Sequence, residues 1–204
     1  MFNIMKKDGK EINIMQSFAE GIISVNEFWR ELRENKKIEN ILINDKKLPK
    51  MKYGDSNSPR YIIDNFDNSI LECRTELYRL VANYFRRRKV KLKYYNEDTE
   101  KLEIILKALP EYVCNDDLSF FENRLECCDK KLSKEEKIER LNKEFKKNFH
   151  YEKKPPEWLQ NPEWPIVNGI PYVFKKQEKG RYEEIYYFYD PNNPMEYKVV
   201  TQID

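Results

Sequence analysis

Apolar residues recur at three- and four-residue steps along the first three-quarters of the chain, then at two-residue steps, the periods of helix and strand. Ile12, Met15, Phe18, Ala19 and Ile22 form one helical face, with Gly21 near its end. Ser24-Val-Asn-Glu27 has the form of a capping box: the serine hydroxyl serves a first-turn amide and the glutamate reaches back. It opens a second helix carrying Phe28, Trp29 and Leu32 and closed at Asn35; Ile38, Ile41 and Leu42 mark a short third helix ending near Asn44. Residues 46–59 are rich in turn formers and predict a loop. Ser69 is the next expected cap, ahead of the longest helix, which aligns Ile70, Cys73, Leu77, Leu80, Val81 and Tyr84. Residues 90–95 fit either the tail of that helix or a short strand. Further helices are expected from about 98 to 109, with Leu102, Ile105, Leu106 and Leu109 inward, and over 117–127. A second capping box, Ser133-Lys-Glu-Glu136, starts a surface helix with a thin stripe of apolar contacts, Ile138, Leu141, Phe145 and, at its end, Phe149.

The composition shifts at Lys153-Lys-Pro-Pro156: seven of the ten prolines and two of the three tryptophans follow residue 154, which rules out continued helix. Alternation then predicts strands at 172–174, 182–189 and 196–202, turned by Gly180 and by Pro191-Asn-Asn-Pro194. The expected fold class is α+β, a mainly helical body over residues 1–150 with a C-terminal three-stranded antiparallel β-meander. Residues 151–204 are expected to dock on the body as one unit with it, because about 50 residues alone give a marginal core.

Composition narrows the function by exclusion. The 204 residues carry 38 Lys and Arg against 36 Asp and Glu, and 25 Phe and Tyr supply core material, so disorder is not expected. No apolar run approaches the roughly 18 residues of a membrane span, and no apolar segment follows the first lysines as in a signal peptide. A cytoplasmic protein without membrane contact is expected. Cys73, Cys114, Cys127 and Cys128 lack the paired spacing of a zinc site, and His150 is the single histidine, so neither metal nor other cofactor is predicted. Glycines are scattered singly, which removes the phosphate-cradling loops and nucleophile elbows that need them close together. Cys114 with His150 could form a nucleophile–base pair, but no oxyanion-hole signal accompanies them. Glu-x-Lys at Glu135-Glu-Lys137 and Glu144-Phe-Lys146 lies on a highly charged helix rather than on a nuclease strand. A non-enzyme is the expectation.

Two stretches remain as candidates. Arg86, Arg87, Arg88 and Lys89 begin a basic run that continues through Lys91 and Lys93 with tyrosines on both sides. Such a run suits phosphates or an acidic protein, and equally suits a helix C-terminus, where cations complement the macrodipole. The second stretch holds Trp158 and Trp164 in two Glu-Trp dipeptides framed by prolines, followed by the aromatic strand with Tyr187 and Tyr189. It reads either as a rigid recognition surface or as a plug joining the meander to the helices. In that strand either Tyr186 and Phe188 or Tyr187 and Tyr189 face inward.

Pro156, Trp158, Gln160, Glu163, Trp164, Pro165, Gly169, Pro171, Phe174, Gln177, the run from Tyr187 to Pro191, and Gln202 form a pattern covering about a quarter of the chain. It resembles part of the YwqG-like family of bacterial domains and the tails of immunity proteins of bacterial toxin systems. The resemblance implies a bacterial, cytoplasmic, non-catalytic protein, and supplies no catalytic residue. The reading that follows is a protein-binding protein, an immunity or antitoxin-like inhibitor of a toxin or effector. Trp158, Trp164, Tyr187 and Tyr189 would be its apolar anchors, with Arg86, Arg87, Arg88 and Lys89 as electrostatic contact. The alternative is a nucleic-acid-binding regulator that uses the basic run 86–93.

Overall fold

Both Ser-x-x-Glu boxes start helices in the computed structural model of the chain, which describes residues 9–48, 58–93, 96–113 and 118–204. The fold is α+β: among the described residues, eight helices precede a small hairpin and a three-stranded antiparallel sheet. The chain divides into two compact units between Leu102 and Glu103, inside a helix, and the composition shift at 153–156 lies within the second unit.

The first unit holds α1 (Gly9–Ala19), α2 (Val25–Glu34), α3 (Lys36–Ile43), α4 (Pro59–Asp64), α5 (Leu71–Arg86) and the first half of α6 (Glu97–Ala108). At α2, Glu27 N–H donates to Ser24 Oγ (3.2 Å) while Ser24 N–H donates to the Glu27 carboxylate (2.8 Å). Helix α1 stops where Gly21 takes a positive φ of 70°, and the amides of Gly21 and Ile22 return to the carbonyls of Phe18 and Ser17. This is the paired closure of a Schellman cap. It carries Ile22 off the helical face, so that residue is 70% exposed instead of buried as its spacing predicted. Phe18 and Phe28 stack 4.2 Å apart at the centre of a core that includes Met15, Leu32, Leu77 and Phe85.

Ser69 is not a cap. Its amide and hydroxyl both serve Asp67 (2.8 and 2.7 Å), and α5 begins after Ile70 without a side-chain cap. Cys73 is only half-buried, its thiol near the Asn65 carbonyl. Helix α4 starts where the expected loop ends: Ser58 caps the Tyr61 amide (3.2 Å) and Pro59 occupies the first helical position, where its missing N–H costs nothing. Residues 90–93 are neither helix nor strand, because α5 ends in a second Schellman closure: Lys89 N–H returns to Arg86 and Val90 N–H to Phe85. There the left-handed position (φ 60°) is filled by Lys89. Residues 49–57 of the expected loop, Tyr94, Tyr95, Cys114 and the start of the helix expected at 117 lie outside the described residues.

The second unit contains the end of α6, α7 (Ser119–Glu126), α8 (Lys134–Asn148), β1 (Ile166–Val167), β2 (Ile170–Pro171), β3 (Val173–Lys179), β4 (Glu183–Asp190) and β5 (Asn193–Ile203). In α6, Leu102 and Ile105 are buried as expected, but Ile104 and Ala108 are buried with them and Leu106 is 52% exposed, so the inward stripe is shifted round the helix. The hairpin β1–β2 turns on Asn168 and Gly169, both at positive φ (51° and 73°), the type I′ geometry that suits twisted strands. The order β3-β4-β5 is the expected meander, with Phe174 opposite Phe188, Tyr187 opposite Val199 and Tyr189 opposite Tyr197. Gly180 N–H closes the first turn on the Glu183 carbonyl (2.8 Å), and pairing of Asp190 with Asn193 narrows the second to Pro191-Asn192. On its far side β3 is met by the chain leaving α8, where Phe174 N–H donates to His150 and Glu152 N–H to Phe174.

Candidate interaction surface

The fold uses the two central arginines of the basic run. Asp45, at the exit of α3, has a fully buried carboxylate that receives Arg87 through Nε and Nη2 (3.0 and 2.8 Å) and Arg88 through Nη1 and Nη2 (3.2 and 2.8 Å). Arg88 also covers the Tyr84 ring, its guanidinium carbon 3.5 Å from the centroid. Burial pushes the Asp45 carboxyl up, but hydrogen bonds from Arg88, the Lys47 amide and Arg87 outweigh it and bring it down to about 2. Arg86 donates to Asn83 (2.8 Å), and Lys89 is the exposed left-handed cap residue. Arg87 and Arg88 are therefore structural clamps rather than free partner contacts.

The two tryptophans also part company. Trp164 is 1% exposed, packed edge-on against Phe149 and Phe188, with its indole N–H on the Tyr172 carbonyl (2.7 Å). It is core and cannot anchor a partner. Trp158 is half-buried; its ring lies tilted against Tyr186, centroids 4.5 Å apart, and its indole donates to the Tyr112 carbonyl (2.9 Å). The segment around them has no ladder of its own and borrows acceptors from the sheet. Glu157 N–H donates to Gln177 Oε1 (2.8 Å), Leu159 N–H to the Tyr186 hydroxyl (2.7 Å) and Gln160 N–H to Gln202 Oε1 (2.9 Å). Gln202 Nε2 returns to the Asn161 carbonyl, and Gln160 Nε2 reaches the Ile203 carbonyl, both at 2.7 Å. Burial and the neighbouring Glu184 carboxylate keep the Tyr186 phenol protonated, pushing it up to about 12 against the opposing Leu159 amide bond. Gln160, Gln177 and Gln202, all in the pattern quoted above, are thus clamps between coil and sheet.

The meander's parity is settled by this packing. Phe174, Tyr186, Phe188 and Gln202 are buried on the inner face, while Tyr187 and Tyr189 lie half-buried on the outer one. The register brings Ile185, Tyr187 and Tyr189 beside Thr201, Val199 and Tyr197 on that outer face. Tyr197 is 47% and Val199 53% exposed. Two lysines lie across the rings: Lys175 contacts the Tyr197 hydroxyl (3.0 Å), and the Lys176 ammonium sits 4.6 Å from the Tyr187 centroid. The Tyr187 hydroxyl donates to Glu178 (3.0 Å), which holds that phenol above its ordinary range. The outer face is an aromatic strip with polar, orientable rims. Tyr197 and Val199 belong to it although the sequence reading did not single them out; alternation within 196–202, matched to Tyr187 and Tyr189, was the available signal.

Among the described residues no group of three or more His, Cys, Asp and Glu side chains could hold a metal ion. Cys128 is buried and its thiol is pushed up by that burial, and Cys127 is exposed. His150 is exposed, and Cys114 lies outside the described residues. No helix of the described residues is long and apolar enough to cross a membrane. Comparison with known proteins returns no matching family model, no curated protein and no solved structure.

Proposed function

We propose that the chain is a non-catalytic protein-binding protein, an inhibitor in the manner of an immunity protein that occupies a functional surface of a toxin or effector. The outer face of β3-β4-β5 is its contact surface, with Tyr187, Tyr189 and Tyr197 as anchors. The observation that carries the reading is that these tyrosines and Val199 stand together on the face turned away from the core. Tyrosines provide large, stiff contact area with a polar tip, and they recur at binding hot spots. The resemblance of the C-terminal quarter to tails of immunity proteins agrees with it. The regulator alternative loses its main support, because Arg87 and Arg88 are spent on Asp45; Lys89, Lys91 and Lys93 remain for phosphates.

The test is stoichiometric capture from nuclease-treated lysate of the source cell, followed by calorimetry with the purified partner. Replacing Tyr187 and Tyr189 by Ala is expected to weaken binding by about 2 kcal/mol or more with the far-ultraviolet spectrum unchanged. Undiminished binding by that double variant would remove the face from the proposal. Recovery of nucleic acid alone, when nuclease is omitted, would move the function to the basic run.

A further inference from the structure

The outer face ends at β5, whose second edge is paired with no other strand among the described residues. Asp204 N–H donates to the Tyr182 carbonyl (2.9 Å), which fixes the parity of the β4–β5 ladder. Lys198, Val200, Gln202 and Asp204 turn their peptide groups toward β4, whereas Tyr197, Val199, Thr201 and Ile203 turn theirs outward. The Ile203 carbonyl is already taken by Gln160, and the register breaks beyond Tyr197, where Asp190 pairs with Asn193. The open edge is therefore short, with Val199 at its centre. Among the described residues no backbone group bonds the outward amides and carbonyls of Tyr197, Val199 and Thr201.

Unpaired edges invite another strand, and proteins blunt them where no strand is wanted. Here both ends are blunted and the middle is not. The side chains say what fits. On the outer face Tyr197 and Val199 favour β-branched or aromatic neighbours. On the opposite face Lys198 is exposed and, among the described residues, has no carboxylate within ion-pair distance. A second copy paired antiparallel about Val199 would bring two Lys198 ammonium groups into diagonal proximity, which is unfavourable.

We infer that β5 accepts an extended segment of a partner protein as a fourth, antiparallel strand, about five residues long, with β-branched residues opposite Tyr197, Val199 and Thr201 and a carboxylate opposite Lys198. The inference rests on the protein-binding reading for its biological partner, but the edge itself can be tested without that partner. Main-chain hydrogen bonds would supply the affinity, and the alternating side chains the selectivity.

The probe is the peptide acetyl-Ser-Val-Thr-Val-Glu-Val-Ser-amide, titrated into the isotope-labelled full chain. Saturable shifts and at least about tenfold slower exchange at the Tyr197, Val199 and Thr201 amides are expected. Methylating the backbone nitrogen of the peptide's central valine should abolish them, without any change to the protein. Lys198→Glu should weaken the peptide about tenfold, and replacing the peptide's glutamate by lysine should restore binding to that variant. Unprotected amides at all three positions would overturn the inference. So would a dimer of the free protein, seen by sedimentation and dissolved by Val199→Pro, since the edge would then belong to a second copy. Loss of partner binding in the Tyr187 and Tyr189 double variant, with no peptide effect at β5, would leave the face reading intact and remove only the added strand.

Discussion

Replacing Asp45 with Asn tests whether the basic run is a clamp. The substitution keeps the side-chain shape and removes the charge that Arg87 and Arg88 share, each with a nitrogen 2.8 Å away. The carboxyl is held at about 2, down from 3.8. That is nearly two units, at about 1.4 kcal/mol each, so the ionised form contributes about 2 kcal/mol of folding stability. Because the folded value is depressed, this stability is complete above the ordinary carboxylate range and is lost as pH falls from about 4 to about 2. Asp45→Asn is therefore expected to destabilise the first unit by about 2 kcal/mol at pH 7, and the gap to the unsubstituted protein should close across that acidic window. Urea titration read from the amide signals of α3 and α5 isolates the unit concerned. A gap that stays constant down to pH 2 would show that shape rather than charge holds the site. No gap at pH 7 would show that the arginines are available to other partners, and the clamp argument would fail.

Trp164→Ala should cost about 3–5 kcal/mol, the range for emptying a large aromatic site, and broaden the amide signals of the second unit. A folded, merely binding-deficient variant would return Trp164 to the surface. Lys89→Gly should raise the denaturation midpoint of the first unit, worth about 1 kcal/mol, because glycine meets no Cβ penalty at a φ of 60°. Gly21 already fills the equivalent position after α1, and a loss of stability at position 89 would mean that the Lys89 side chain does more than tolerate its cap.

The elements that could be read from sequence are those whose causes are local. Ser24 and Ser133 announce their helices because donor and acceptor lie three residues apart. Ser69 misled for an equally local reason: Asp67, two residues before it, captures the same groups that a cap would use. The Ser58-Pro59 start of α4 and the Asn168-Gly169 turn carried signals that a turn-rich background masked. The site was harder to see. Asp45 and Arg87 are 42 positions apart, and nothing in either neighbourhood names the other. The two Glu-Trp dipeptides look alike, yet the carbonyl of Tyr172 draws one indole inside. In the run from Tyr186 to Tyr189 every residue is aromatic, so alternation fixes two faces without saying which is buried. Trp158, Trp164 and the β3 pairing decide it.

The coil that carries Trp158 has a property its irregular backbone conceals. Its amides at 157, 159 and 160 end on side chains rooted in β3, β4 and β5, one on each strand. None can open to solvent without releasing a group that also organises the sheet, since Gln177 and Gln202 each clasp the coil with both ends of their amides. Such a segment shares the opening free energy of the strands beneath it. A proline-rich connector, ordinarily the first place for a chain to be cleaved or to fray, is expected here to act as a further layer of the sheet and to melt with it. The outer face of the meander thus rests on a backing tied to all three of its own strands.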